Sequence, residues 1–141
     1  MKSLAQHLLW FLPMLWLGMV LAISFLEAPL KFRAPGMTLP LGLAIGRIVF
    51  RALNTVEFVL AALLVAAAAI VRPSDAAWGW LGWAIFVLAT QLLAVRPPLT
   101  RRSDRVLAGE QLPRSTAHRW YVALELLKVA SLIGLAITTA P

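Results

Sequence analysis

Cysteine is absent from this chain of 141 residues. Disulfides, thiolate catalysis and zinc or iron–sulfur sites held by cysteine are therefore excluded. Histidine occurs only twice, at His7 and His118, so too few ligands remain for a catalytic zinc site. The chain also has no glycine-rich loop of the kind that binds phosphate. We therefore predict neither a metal nor any other cofactor.

Charged residues are scarce, at 13% of the chain, whereas 61% of the residues are hydrophobic. The mean hydropathy is +0.84. A soluble domain of this size has too small an interior to hide so much apolar surface, so we expect the lipid bilayer to be the solvent. The net charge of +7 does not predict a nucleic-acid partner, because no basic folded module accompanies it. Basic residues in a chain this apolar mark the loops on one side of a membrane.

Four long apolar segments predict an all-α fold, a bundle of four transmembrane helices in one domain. The N-terminal segment could also be a signal peptide, but its run is long and lacks a small-x-small cleavage site, which favours a retained helix. Proline and glycine between residues 27 and 40 predict a loop, and residues 96–114 predict the main polar loop. Ser115 or Thr116 is expected to cap the last helix. The predicted spans are residues 8–26, 41–71, 78–95 and 116–138.

The basic residues predict the orientation in the membrane. Lys2 and Arg72 fall on one side, and Lys128 falls inside a span. The other ten of the thirteen share the opposite side, which the positive-inside rule makes cytoplasmic. We expect a multi-pass protein, of a bacterial inner membrane, with both termini outside the cytoplasm. These ten are Lys31, Arg33, Arg47, Arg51, Arg96, Arg101, Arg102, Arg105, Arg114 and Arg119.

A weak internal repeat relates the two halves of the chain. The shift that places Pro29 on Pro97 also places Glu57 on Glu125. Biased composition also produces such matches by chance. A true duplication predicts two parallel helical hairpins, a plan known from transporters.

Ionisable side chains inside the predicted spans form the candidate site. Glu57 and Glu125 each follow an arginine of the same helix by six positions. An ionised carboxylate inside a membrane costs several kcal/mol unless it is paired or hydrated. If the polar faces of the second and fourth helices meet, they enclose a pocket open toward the cytoplasm. The candidate binding residues are Glu27, Arg47, Arg51, Asn54, Glu57, His118, Arg119, Tyr121, Glu125 and Lys128.

Three functions fit such a pocket. The first is transport or binding of an ion or small polar solute. The second is an accessory or scaffold role, in which the charged residues form structural ion pairs. The third is an enzyme that uses the acids, His118 and Tyr121 for proton transfer on a lipid-like substrate. Haem is disfavoured, because His7 and His118 are predicted at opposite ends of the bundle.

Small residues spaced by four predict close helix contacts. Gly18 precedes Ala22, and Gly42 precedes Gly46. Such pairs occur where helices approach closely, within one chain or between copies. Four short helices can hardly enclose a pathway alone, so we expect a homo-oligomer.

The segment GMVLAISFLEAPLKF resembles the end of the first helix in an uncharacterised family of four-helix integral membrane proteins, typified by eukaryotic transmembrane protein 205. The shared element is Ala28, Pro29 and Phe32, and His118 at the start of the last helix also resembles the family pattern. The resemblance implies four spans and no established activity. The chain departs from the pattern at Tyr121 and Glu125, where small polar residues follow the histidine in the family, and it adds Glu27 and the Arg47/Arg51 pair.

Overall fold

The structure, a computed structural model, describes residues 1–112 and 116–141, and the side chains of Thr116 and Ala117 lie outside that description. The described residues form helices and no strand, which confirms the predicted all-α four-helix bundle. The α-helices are α1 Lys2–Val20, α2 Ala28–Lys31, α3 Leu39–Val71, α4 Asp75–Thr90, α5 Arg96–Leu107 and α6 Thr116–Thr139, and two π-helical segments cover Leu21–Glu27 and Gln91–Val95.

Four helical runs in the described part of the chain are long and apolar enough to cross a membrane. The first run joins α1, the first π segment and α2, and the third joins α4, the second π segment and α5. We refer to the four runs as the first to fourth spans. They cover Lys2–Lys31, Leu39–Val71, Asp75–Leu107 and His118–Thr139.

The predicted loops at residues 27–40 and 96–114 are wrong in their first parts, because helix continues through Lys31 and Leu107. Pro29 and Pro97 lie just after the two π segments. A proline lacks the N–H that an α-helix needs and crowds the carbonyl four residues earlier. A π-helical turn changes that hydrogen-bond pattern, so the helix passes the proline instead of ending.

The two π segments also bear on the predicted repeat. They end at Glu27 and Val95, and the shift that aligns Pro29 with Pro97 aligns these two ends as well. Each segment is followed by an α-helical segment with proline at its second residue. The first and third spans therefore share a local irregularity at equivalent positions, as a duplicated hairpin predicts.

Hydroxyl side chains cap two helices. The Thr38 hydroxyl accepts a hydrogen bond from the Leu41 N–H at 3.3 Å, and the Ser74 hydroxyl accepts one from Ala77 at the same distance. Each bond satisfies an N–H group that has no partner within its own helix. The predicted cap at Ser115 or Thr116 lies outside the described residues.

The core runs along the centre of the bundle. Helix α1 packs against α3 and α6, and α4 packs mainly against α6, so α3 and α6 face each other across the middle. Trp16, Leu64 and Leu132 are fully buried there. Large apolar side chains such as Ile48 and Ile137 remain exposed on the outer faces. Lipid is the natural solvent for these faces, because soluble proteins rarely expose so much contiguous apolar surface.

Two glycines lie where an aromatic side chain approaches the backbone of a helix closely. A Cβ atom at Gly42 would overlap the Phe32 ring, and one at Gly134 would lie 2.5 Å from the Trp80 ring. Both glycines therefore allow an aromatic ring to pack directly on a helix backbone. The Gly42-x3-Gly46 pair accordingly serves contacts within this chain.

Candidate functional site

An ion-pair cluster lies in the interior of the bundle. The Lys128 ammonium nitrogen of α6 lies 2.5 Å from Glu57 Oε2 of α3 and 2.6 Å from Glu125 Oε1 of α6. It also donates a hydrogen bond to Gln91 Oε1 at 2.7 Å. All four side chains are completely or almost completely buried. The three protons of the ammonium group thus have three acceptors, and none is left for solvent.

Three further donors complete the cluster. The Trp16 indole N–H donates to Glu57 Oε2 at 2.8 Å, and the Gln91 amide donates to Glu125 Oε1 at 2.9 Å. The Ser24 hydroxyl donates to the other Glu125 oxygen. Ser24 and Gln91 lie on the two π segments, a kind of irregularity that often occurs at functional sites. The name ion-pair cluster is used below for these side chains: Trp16, Ser24, Glu57, Gln91, Glu125 and Lys128.

The sequence reasoning missed Trp16, Ser24 and Gln91. A signal for two of them was present, because Ser24 and Gln91 are uncharged polar residues in otherwise apolar spans. Polar side chains inside membrane helices commonly form hydrogen bonds between helices. Trp16 gave no such signal, since tryptophan is also a common apolar core residue.

The cluster holds two carboxylates and one ammonium. Glu57 Oε1 is buried and has no hydrogen-bond partner among the described residues.

Glu57 precedes Val71, the end of α3, by about four helical turns, and Glu125 precedes Thr139, the end of α6, by the same interval. Each acid therefore lies about 21 Å along its own helix from the C-terminal end of that helix. That distance is about two thirds of a hydrocarbon core of roughly 30 Å, so both acids are well inside it.

A partly enclosed cavity of about 210 Å³ adjoins the cluster on the side of the two polar connections. Glu125 and Ser24 border both the cavity and the cluster. Aromatic rings, among them Phe25 and Phe50, form much of its apolar wall. The name basic cavity is used below, because four cationic side chains line it: Lys31, Arg47, Arg96 and Arg102.

Aromatic rings hold two of the cavity's cations. The Arg96 guanidinium lies 5.5 Å from the centroid of the Phe50 ring and 5.7 Å from that of Tyr121. The Lys31 ammonium lies 5.6 Å from the Phe32 centroid. Such contacts orient a cation but leave its charge in place. Within the described residues, neither Lys31 nor Arg96 forms a salt bridge.

Two hydroxyl groups of the cavity wall have no hydrogen-bond partner in the described part of the chain. The Tyr121 hydroxyl and the Ser103 hydroxyl are buried and form no hydrogen bond to any described residue. Both side chains line the cavity. A buried hydroxyl without a partner costs about 1–3 kcal/mol. A ligand in the cavity that accepts a hydrogen bond would remove that cost.

The structure distributes the predicted site residues over several places. Glu57, Glu125 and Lys128 meet in the ion-pair cluster. Arg47, His118, Tyr121 and Glu125 line the basic cavity, and Arg47 also pairs with Asp104 at 2.6 Å.

The remaining predicted residues lie elsewhere. Arg51 and Asn54 line a separate groove, and Arg119 is exposed and lines neither space. One carboxylate oxygen of Glu27 is buried without a hydrogen-bond partner among the described residues. Arg114, which was used only to predict the orientation in the membrane, lies outside the described residues. The single pocket expected from meeting helix faces is therefore replaced by a closed cluster and two spaces beside it.

The two histidines are far apart. His118 lines the basic cavity near the start of α6. At the other end of α6, the Thr139 hydroxyl donates to the Leu9 carbonyl at 2.9 Å, two residues along α1 from His7. The helix from His118 to Thr139 is about 31 Å long at the usual rise per residue. His7 and His118 therefore cannot bind one metal ion within a chain.

Comparison of the chain with protein-family models, with curated proteins and with solved structures finds no match. The function must therefore be inferred from the site itself. The helices make the protein a candidate multi-pass membrane protein, and the basic cavity beside the ion-pair cluster is its candidate binding site.

Proposed function

We propose that this protein binds a small organic anion in the basic cavity. The observation that supports the proposal most directly is the combination, in one partly enclosed space, of two cations without a described salt bridge and a hydroxyl without a described hydrogen-bond partner. Lys31 and Arg96 line the cavity without salt bridges to described residues, and the buried Tyr121 hydroxyl beside them has no partner there. An anion would neutralise the cations and accept a hydrogen bond from the hydroxyl, which is the pairing that buried polar groups require.

The size and walls of the cavity narrow the class of ligand. Its volume of about 210 Å³ is smaller than the roughly 300–1,000 Å³ of sites for drug-sized molecules. The aromatic side chains of the wall, such as Phe25 and Phe50, favour an apolar body. The guanidinium of Arg96 offers a planar fork that suits a carboxylate or phosphate. A short aliphatic or aromatic carboxylate satisfies these conditions.

In this arrangement of the helices, the ion-pair cluster favours binding of a solute in the cavity over its passage across the bundle. Lys128 and Glu57 are completely buried beneath the cavity, so a solute that crossed the bundle would have to separate them. Transport therefore requires a second arrangement of the helices, with differential affinity for the solute. The scaffold hypothesis applies to the cluster itself, because its contacts are made within the protein.

Ligand-induced stabilisation tests the proposal. Purified protein in detergent is heated with benzoate, with the neutral isostere benzamide, and with inorganic phosphate as a small anion without an apolar body. We expect benzoate to raise the unfolding midpoint in proportion to the logarithm of its concentration, because only the folded state has the site. Benzamide should have little effect. Equal shifts with benzamide and benzoate, or no shift with either anion, would contradict the proposal.

Two matched arginine variants test whether benzoate stabilises the protein by binding in the basic cavity. Arg96→Gln removes a charge from the cavity wall, whereas Arg101→Gln removes one from an exposed position of the same helix that does not line the cavity. The benzoate response should be lost in the first variant and kept in the second. Loss in both variants would show that benzoate responds to overall charge, and the cavity would not be its site.

The orientation of the bundle is part of the proposal. The excess of basic residues at the cavity end supports a cytoplasmic position for that end. Ala108 is exposed in the turn after α5, and the chain has no cysteine, so Ala108→Cys carries a unique thiol. An impermeant thiol reagent should label it only after the membrane is opened. Labelling in intact cells would place the cavity on the outer side.

Assembly into a homo-oligomer also remains a proposal. Gly18 and Ala22 are exposed, and apart from the adjoining residues and backbone of its own helix, no described atom lies within 4 Å of a Cβ placed at Gly18. Their spacing suits close packing against a helix of another copy. Native mass spectrometry from lipid should show a species larger than the monomer, and a strictly monomeric spectrum would refute the idea. Membership of the family typified by transmembrane protein 205 likewise stays a prediction.

A further inference from the structure

A second, wider space opens between the second and third spans. It encloses about 1010 Å³ and is called the arginine groove below. Its polar lining includes Arg47, Arg51 and Arg96, and its apolar lining includes Ile48, Phe58, Leu92 and Leu107. Ile48 and Phe58 are 73% and 66% exposed, so in a membrane this groove faces lipid.

The charged and apolar parts of the groove lie at different depths. Arg51 and Val71, the end of α3, are about 30 Å apart along the helix axis, which equals the thickness of the hydrocarbon core. Arg51 therefore reaches the headgroup boundary on the cavity side when Val71 lies at the opposite boundary. Phe58 follows Arg51 by two helical turns and lies about 10 Å deeper, among the acyl chains.

The groove carries more positive than negative charge. Arg47 pairs with the exposed Asp104 at 2.6 Å. Arg51 and Arg96 form no salt bridge within the described part of the chain. Asn54 also lines the groove, next to the arginines, and can donate hydrogen bonds from its amide. These groups suit a phosphodiester, which arginine binds through two parallel hydrogen bonds.

We propose that the arginine groove binds one anionic phospholipid from the surrounding membrane. Its phosphodiester lies against Arg51 and Arg96, and one acyl chain follows Phe58 and Leu92 toward the bilayer centre. The charge at headgroup depth and the apolar lining below it match the two parts of such a lipid. The proposal does not depend on the organic anion proposed for the basic cavity, although Arg47 and Arg96 border both spaces.

Native mass spectrometry of the purified full chain tests the inference. The protein in detergent is titrated with palmitoyl-oleoyl phosphatidylglycerol or with phosphatidylcholine of the same chains, and the fraction that carries one lipid is measured. We expect the anionic lipid to bind in preference. Equal retention of the two lipids would overturn the proposal.

Arg51→Gln is the decisive variant, because Arg51 lines the groove but not the basic cavity. The preference for phosphatidylglycerol should fall about fivefold, the value of one basic residue at a membrane surface. Arg101→Gln, which changes an exposed residue outside both spaces, should leave the preference unchanged. The same loss in both variants, or no loss in Arg51→Gln, would overturn the groove as the lipid site.

Two readouts keep this result separate from the cavity proposal. The thermal midpoint and benzoate response of Arg51→Gln should stay at wild-type values, because Arg51 is exposed and does not line the cavity. A wild-type protein that responds to benzoate but not to the lipid headgroup would refute the groove alone. If Arg51→Gln does not fold, Arg51→Lys replaces it, and its lipid preference should fall below that of wild type because the planar fork is lost. An unchanged preference in Arg51→Lys would then count against the proposal.

Discussion

The ion-pair cluster and the basic cavity adjoin each other but differ in how their charged side chains are paired. In the cluster, Lys128 contacts two carboxylates and an amide, and Trp16 and Ser24 donate to those carboxylates. In the cavity, Lys31 and Arg96 contact aromatic rings but no described carboxylate. Charges that pair within the protein favour one arrangement of helices, because separating them leaves a buried charge unpaired, whereas cations without a described partner around a space leave contacts for a ligand to make.

Glu125 belongs to both regions. Its Oε1 contacts Lys128 and Gln91, and its Oε2 accepts from Ser24, which borders the cavity. Any ligand that changes the position of Ser24 or Glu125 would therefore also affect the cluster. If an anion binds in the cavity, this shared residue would couple its binding to the packing of the helices.

Removal of the cluster's ammonium should have the largest effect. Lys128→Met keeps a long flexible side chain but leaves Glu57 and Glu125 buried without a cation. We expect the free energy of unfolding to fall by about 3–5 kcal/mol, as measured for broken buried ion pairs. Denaturant unfolding in detergent measures this change. Lys31→Met, in the cavity wall, should cost far less, and equal losses would remove the distinction between the two regions.

Removal of one carboxylate should have an intermediate effect. Glu57→Gln leaves Lys128 paired with Glu125, and the new amide oxygen can still accept from Trp16. We expect a loss of about 1.5–3 kcal/mol, the range for hydrogen bonds to charged groups. The same unfolding measurement tests it. A loss as large as that of Lys128→Met would show that Glu57 alone compensates the ammonium, and a stability equal to wild type would favour a binding role for this acid.

Removal of one hydroxyl from the cavity should cause no loss of stability. Tyr121→Phe deletes a buried group that has no partner among the described residues. We expect the free energy of unfolding to rise, by up to about 1–3 kcal/mol, because the variant removes the cost of burying a hydroxyl without a partner. Benzoate binding should weaken by about 0.5–1.5 kcal/mol, the net value of one hydrogen bond. Calorimetry on the variant measures it, and unchanged affinity would exclude the hydroxyl from the binding site.

Several parts of the fold were predictable because they depend on local patterns. The four apolar segments indicate helices long enough to cross a membrane, and the described part of the chain contains four such helices. The polar connections were predicted less well. Proline at positions 29 and 97 suggested loops, but π-helical turns allow the helices to continue past them to Lys31 and Leu107. A local breaker signal therefore failed where an irregular helix could accommodate it.

The candidate site was predictable only as a set of residue types. Glu57, Glu125 and Lys128 could be selected from the sequence because each places an ionisable group in an apolar helix. Arg51, Asn54 and Glu57 are spaced by three residues, which places them near one helix face, but in the structure only Glu57 reaches the cluster, and the other two line the groove. Helical spacing shows only which residues lie on the same broad side of a helix. Neighbouring helices then bury some residues of that side and leave others facing a groove.

The composition and the order of residues determined that the chain forms apolar helices, that lipid is their solvent and that charged residues lie among the apolar ones. Each of these follows from hydrophobicity and local spacing. Only the tertiary structure decided which charges meet. Lys128 joins Glu57 across the bundle because α3 and α6 face each other between α1 and α4. Trp16, Ser24 and Gln91 enter the cluster for the same reason, since contacts between helices depend on how the helices pack. The separation into a closed cluster, a basic cavity and an arginine groove follows from that packing.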